Sequence, residues 1–237
     1  MSRERVSFSE GKRWVVGSLG SAAALAETRP EAVPEACDLL EIRLDALAAG
    51  GTAADRAAWA HLAGVPLLFT ARRRDEGGNG DLDATTRAEL LREALRDAAV
   101  MDVELASTAE MEGVLQEISD AGIPWVASFH DFERLPADEV LAAAAKRARN
   151  AGAAVFKLAA RIHGPDDLAR LARFQVSDQG LPLSVMGMGP LAPVSRLLCA
   201  QYGSVLNYGY LGETPTAPGQ WDCAALKRAI GMLDQVG

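Results

Sequence analysis

A chain of 237 residues, 49% apolar and 24% charged, can bury a large core and lacks the polar bias of disordered segments. Its formal net charge of -8 and pI near 5.0 leave no basic field for a phosphate backbone or an anionic membrane surface. Cys37, Cys199 and Cys223 are widely spaced with no CxxC pairing, the usage expected of a reducing compartment and of a cytoplasmic protein.

At the start of the chain, Arg3, Arg5, Lys12 and Arg13 precede WVVGSLGSAAALAE, which loosely mimics a signal peptide. Gly17, Ser18, Gly20 and Ser21 interrupt the apolar stretch, so it reads better as a strand, a turn and a helix from about Ser21. Residues 1–12 read as a flexible or capping segment. Short apolar, β-branched runs then alternate with helical stretches to the end. Strands are predicted in RWVVGS from Arg13, LLEIRL from Leu39, PLLFTA from Pro66, VMDVEL from Val100, PWVASF from Pro124, AVFKLA from Ala154, LPLSVM from Leu181 and SVLNYG from Ser204. The clearest helices are predicted over 83–98, 107–121, 136–150, 165–175, 194–201 and 222–235. GGNGD, after Glu76, reads as the one long, flexible loop. No apolar run approaches the roughly 20 residues that span a bilayer. Eight βα units fit a single-domain, closed (β/α)8 TIM barrel over 1–237 better than an open doubly wound sheet. The site of such a barrel lies at the C-terminal ends of its strands.

Those ends carry polar side chains. Because side chains alternate along a strand, Glu41, Arg43 and Asp45 share one face against Ile42 and Leu44. Thr70 and Arg72 likewise oppose Phe69, Asp102 and Glu104 oppose Val103, and Ser128 and His130 oppose Phe129. Burying unpaired charges costs several kcal/mol each, so these groups should pair with one another or with a substrate at the barrel mouth. Lys157 is set apart from the other lysines. Lys12, Lys146 and Lys227 each precede an arginine in a charged context, whereas Lys157 sits inside an apolar strand. Desolvation disfavours its ammonium form and makes the amine available to attack a carbonyl. A structural lysine paired with a carboxylate such as Glu104 is the competing reading. His130 ends the neighbouring strand, where a general base could reach a substrate tethered to Lys157. His61 and His163 stand in helix and loop contexts and read as structural. Arg72 and Arg196 suit a carboxylate or hydroxyl partner. Glu41, Asp102, Glu104 and His130 could be imagined as a metal site, but three cations would crowd it and the spacing matches no helical His-His motif. GxGxxG opening a helix, a P-loop and GxSxG are all absent.

Together these residues resemble the type I 3-dehydroquinate dehydratases of the shikimate pathway, from about Trp14 to Leu233. The resemblance rests on EIRLD at Glu41, FTARRRDEGG at Phe69, DVEL at Asp102, SFHDF at Ser128, FKLA at Phe156, MGMGPLAPVSR ending at Arg196 and TAPGQ ending at Gln220. It implies a lyase that converts 3-dehydroquinate to 3-dehydroshikimate by syn elimination, the third step of chorismate biosynthesis. Lys157 would form an imine, His130 would act as general acid and base, and Glu76 would support His130. Glu41, Arg43 and Arg72 would hold ring hydroxyls, Arg196 and Gln220 the carboxylate with Thr216 beside them, and Met186 and Met188 would shield the imine. The resemblance further implies no metal or organic cofactor and a homodimer. Thr216 stands where many members have serine, and Pro190 and Ala192 replace the usual residues of the 189–192 segment. A class I aldolase would share Lys157 but has no need of His130 and Glu76 with Arg196 and Gln220. A silent relative that senses a cyclic hydroxy acid has no need of intact Lys157 and His130.

Overall fold

The computed structural model describes residues 6–8, 12–52, 54–217 and 219–233. All eight predicted strands form: β1 (Trp14–Leu19), β2 (Leu39–Arg43), β3 (Leu67–Thr70), β4 (Val100–Glu104), β5 (Trp125–Asp131), β6 (Val155–Arg161), β7 (Leu183–Met188) and β8 (Leu206–Leu211). They pair in parallel, in the order β7-β6-β5-β4-β3-β2-β1-β8. The two outer strands of that order meet as Val205 N–H donates to Leu183 O at 3.0 Å and Ser184 Oγ to Leu206 O at 2.7 Å, so the barrel is nearly closed.

Period-two alternation sorts the side chains into two cores. Outward positions such as Leu40, Ile42, Phe69, Met101, Val103, Phe156 and Leu158 pack under the helices. Inward positions begin with an apolar floor that includes Val16, Leu39, Leu68, Val100, Val126 and Val155. One step nearer the C-terminal ends, the lumen turns polar with Ser18, Glu41, Thr70, Asp102, Ser128, Lys157 and Ser184, all buried. Of the predicted N-terminal segment, Val6 is buried against the apolar floor and Phe8 packs beside it. Residues 1–5 and 9–11 lie outside the described residues.

Ten helices complete the described chain: α1 (Ala22–Glu27), α2 (Val33–Ala36), α3 (Leu44–Ala49), α4 (Arg56–Trp59), α5 (Ala84–Ala94), α6 (Glu112–Asp120), α7 (Asp138–Asn150), α8 (Pro165–Val176), α9 (Ala192–Gln201) and α10 (Cys223–Leu233). Local chemistry sets several starts. Ser21 Oγ accepts the Ala24 N–H, Asp83 accepts the Thr86 N–H, and Pro165 occupies the first turn of α8. The short α2, α3 and α4 were not among the predicted helices, because four to six residues carry too little periodicity to register. One reading is corrected here. Asp45 does not share a strand face with Glu41 and Arg43, because β2 ends at Arg43 and Asp45 lies fully buried in the first turn of α3. No helix of the described residues is long and apolar enough to cross a membrane.

Candidate active site

Every residue singled out for substrate or catalysis lines one cavity at the C-terminal mouth: Glu41, Arg43, Arg72, Glu76, His130, Lys157, Met186, Met188, Arg196, Thr216 and Gln220. Strand alternation alone aims Glu41, Lys157 and His130 inward. Arg43 ends β2 on the same face as Glu41, and the others arrive on β7, on α9 and on the loops after β3 and β8. Ser18, Phe132, Ala159 and Tyr208 join them, and the sequence reading missed all four. Inward alternation along β1 and β8 was the signal for Ser18 and Tyr208.

Lys157 stands at the centre of a buried charge network. Its Nζ donates to Asp102 Oδ2 at 3.0 Å, and Asp102 Oδ1 accepts from Arg72 Nη2 at 2.9 Å and Ser128 Oγ at 2.6 Å. The lysine's partner is therefore Asp102, not Glu104. Glu104 is engaged instead by Arg72 Nη1 at 3.0 Å and Arg87 Nη1 at 2.9 Å. Burial alone would raise the Asp102 pKa, but Arg72, then Lys157, overcome it and hold the group at about 2. Burial lowers the Lys157 pKa, with Arg72 adding and Asp102 opposing. A larger share of free amine follows.

On the neighbouring strand, His130 Nδ1 lies 2.8 Å from Glu76 Oε2, which also accepts the His130 backbone N–H at 3.0 Å. With Glu76 ionised, Nδ1 carries the proton and Nε2 is left as a base. Burial, followed by the charges of Arg72, Lys157 and Arg43, drives the His130 pKa well down, so the ring is neutral. Burial raises Glu76 to about 7 despite Arg72. Glu76 thus takes up or releases a proton near neutrality beside a neutral imidazole.

The loop expected to be flexible is in fact tethered. Buried Asp45 accepts the Asn79 N–H at 2.9 Å and the Arg72 N–H at 3.1 Å while pairing twice with Arg43, whose Nη2 also donates to Gly77 O at 2.9 Å. A Cβ at Gly78 would lie 2.2 Å from the Arg72 carbonyl oxygen, so only glycine fits this fold of the loop over the site. These contacts place Glu76 beside His130. The divergent 189–192 segment is a tight turn, closed by Ala192 N–H to Gly189 O at 3.0 Å, and it packs against Gly219.

At the opposite wall, Arg196 donates to Tyr208 O at 2.9 Å from Nη1, while its Nε has no partner among the described residues. Burial lowers the guanidinium to about 10, which leaves it charged at neutral pH. Gln220 Oε1 gathers Thr216 N–H at 2.9 Å, Thr216 Oγ at 2.7 Å and Ala217 N–H at 3.1 Å. Its amide nitrogen is left for an acceptor. Glu41 accepts from Thr70 Oγ1 at 2.8 Å and from the Ser18 hydroxyl, with further lone pairs available. His61 and His163 instead bond backbone carbonyls, of Leu25 and Glu133, away from the cavity.

Residues 19–236 match the profile of the type I 3-dehydroquinase family. A 3-dehydroquinate dehydratase of Methanothrix thermoacetophila is 33% identical over 219 residues, 92% of this chain and 91% of that one. One from Klebsiella pneumoniae subsp. pneumoniae is 32% identical over 213 residues, 85% of this chain and 84% of that one. The fold superposes on the crystal structure of a type I 3-dehydroquinate dehydratase from Clostridium difficile carrying covalently modified comenic acid. That match has a TM-score of 0.85, 20% identity and 99% coverage of both chains. The expected barrel and family both hold: the chain belongs to the type I 3-dehydroquinases.

Proposed function

We propose that this enzyme dehydrates 3-dehydroquinate to 3-dehydroshikimate through an imine on Lys157. The observation that carries the reading is a buried lysine amine in the same cavity as a His130–Glu76 pair, with the Arg196 guanidinium and the Gln220 amide in the opposite wall. The Lys157 amine attacks the C3 ketone, and loss of water leaves an iminium that draws electrons from C2. His130 removes the C2 proton to give an enamine. The C1 hydroxyl departs as water with the proton that His130 returns, a syn elimination because one base serves both events. Hydrolysis of the imine releases product and restores the amine.

Each wall has a matching task. Arg196 and Gln220 hold the substrate carboxylate, Glu41, Arg43 and Arg72 the hydroxyls, and Met186 and Met188 exclude water from the imine. Arg72, committed to Asp102, Glu104 and Ser128, is a fixed cation that also holds Lys157's carboxylate in place. Chemistry of this kind draws only on side chains, with no metal or organic cofactor. We further place the enzyme in the cytoplasm, as a homodimer on the shikimate route to chorismate.

The test is to add 3-dehydroquinate and sodium borohydride to pure protein and map adducts by peptide mass spectrometry. A reduced adduct confined to Lys157, with turnover abolished in Lys157→Ala, is the expected result. Product formation with no modified lysine overturns the imine. An adduct without turnover indicates a silent relative instead, and cleavage of a carbon–carbon bond an aldolase.

A further inference from the structure

Tyr208, on β8, has no part in the steps above, yet it touches both ends of the site. Its ring face lies 4.2 Å from Lys157 Nζ, and its carbonyl takes the Arg196 guanidinium. The side chain is 4% exposed and lines the cavity, and its hydroxyl has no hydrogen-bond partner among the described residues. A buried hydroxyl left unmet is destabilising, so a partner is expected from the ligand that fills the cavity Tyr208 lines. Neither nearby carboxylate meets it: Glu41 takes Ser18 and Thr70, and Asp102 takes Arg72, Ser128 and Lys157. Burial, then the charges of Asp102 and Glu41, keeps the phenol protonated and therefore a donor. With the amine over the ring, the hydroxyl oxygen lies about two ring radii to its side, one bond beyond the ring edge. That is where a substituent on the carbon bonded to Nζ comes within reach.

We infer that the Tyr208 hydroxyl is a substrate-contacting residue that donates a hydrogen bond to the oxygen of the carbonyl attacked by Lys157. This rests on the imine reading. As the nitrogen lone pair forms the C–N bond, the carbonyl π pair moves onto oxygen, and the Tyr208 donor meets the charge that develops there. A proton passes from nitrogen to that oxygen to give the carbinolamine. The C–O bond then breaks as the nitrogen lone pair closes C=N, and oxygen leaves as water with a second proton that protonated Glu76 relays through His130, which leaves the carboxylate ionised and Nε2 free as the base. Tyr208 keeps its own proton throughout, and imine hydrolysis reuses the contact in reverse.

Tyr208→Phe removes the hydroxyl and leaves the ring against Lys157. Rapid-quench borohydride trapping should show adduct formation slowed on the order of tenfold, the worth of one hydrogen bond made in the transition state. The isotope effect of C2-deuterated substrate on turnover should shrink, because imine formation then limits more of the cycle. The melting temperature should hold or rise, since a buried polar group is gone. A purely structural tyrosine would leave the trapping rate and the isotope effect at their wild-type values, and that result overturns the proposal. Wild-type protein that gives product without any Lys157 adduct overturns the imine reading, and this one with it.

Discussion

Lys157 and Asp102 share a 3.0 Å charge-assisted hydrogen bond with both side chains buried, and the same carboxylate anchors Arg72 and Ser128. Removing one charge from a buried network leaves the others uncompensated, whereas removing a surface partner does little. Asp102→Asn should therefore lower unfolding free energy by about 3–5 kcal/mol. Urea denaturation measures it, and a change below about 1 kcal/mol, the range of exposed ion pairs, would show that Arg72 and Lys157 find other partners.

Glu76 supplies a pH signature of stability. Burial raises its pKa from 4.5 to about 7, so the folded protein retains a proton there that the unfolded chain has released. Its contribution is fully present below 4.5 and is lost as pH rises to about 7. Glu76→Gln cannot titrate. Its stability relative to wild type should increase across that window by up to about 3 kcal/mol, from the shift and about 1.36 kcal/mol per unit. Denaturation at pH 5 and pH 8 checks this, and a difference that does not change between them contradicts the assignment.

The same variant bears on catalysis. Glutamine can still accept from His130 Nδ1 but cannot stabilise the imidazolium that forms when C2 loses its proton. Turnover should fall by about 10²-fold while KM stays within a few fold, in keeping with the usual worth of positioned acid–base catalysis. A steady-state comparison of the two proteins decides it. Unchanged kcat would leave Glu76 a purely structural partner.

Arg196 offers two faces to an anion that lysine cannot reproduce. Arg196→Lys should raise KM on the order of tenfold to a hundredfold, with the melting temperature giving a control for the lost bond to Tyr208 O. With a substrate lacking the carboxylate the two proteins should have the same KM, and an unaltered KM toward 3-dehydroquinate would refute the assignment.

Gly78→Ala probes the loop. The new Cβ would meet the backbone oxygen of Arg72 and the carbonyl of Arg73, neither of which can swing aside. The loop must shift, at about 1–3 kcal/mol, and Glu76 moves with it. Stability and kcat should fall together, with the acid limb of the pH profile displaced. Wild-type kinetics would show that the loop has another way to close.

Much of the site was legible because period-two alternation assigns a face to each strand residue. The lone lysine within an apolar strand, the histidine ending the next one and the polar positions of β2, β4 and β5 all follow from it. Local patterning likewise specified eight strands and the longer helices, since each is long enough for its period to repeat. Family motifs supplied the residues on loops, which no periodicity marks.

Tertiary structure alone decided which charges meet. Asp102 and Glu104 occupy the same face of β4, and the register sets Glu104, not Asp102, level with Ser128 and Lys157, yet only Asp102 bonds the lysine, because Glu104 is taken by Arg72, the Arg73 N–H and Arg87. Asp45 left its strand for a helix because the chain must turn over the barrel rim there, and once buried it fastened the loop that looked free. Side-chain period is a local property that a sequence carries openly. Partner choice among buried charges depends on barrel register and closure, which place residues far apart in the chain within bonding distance of one another.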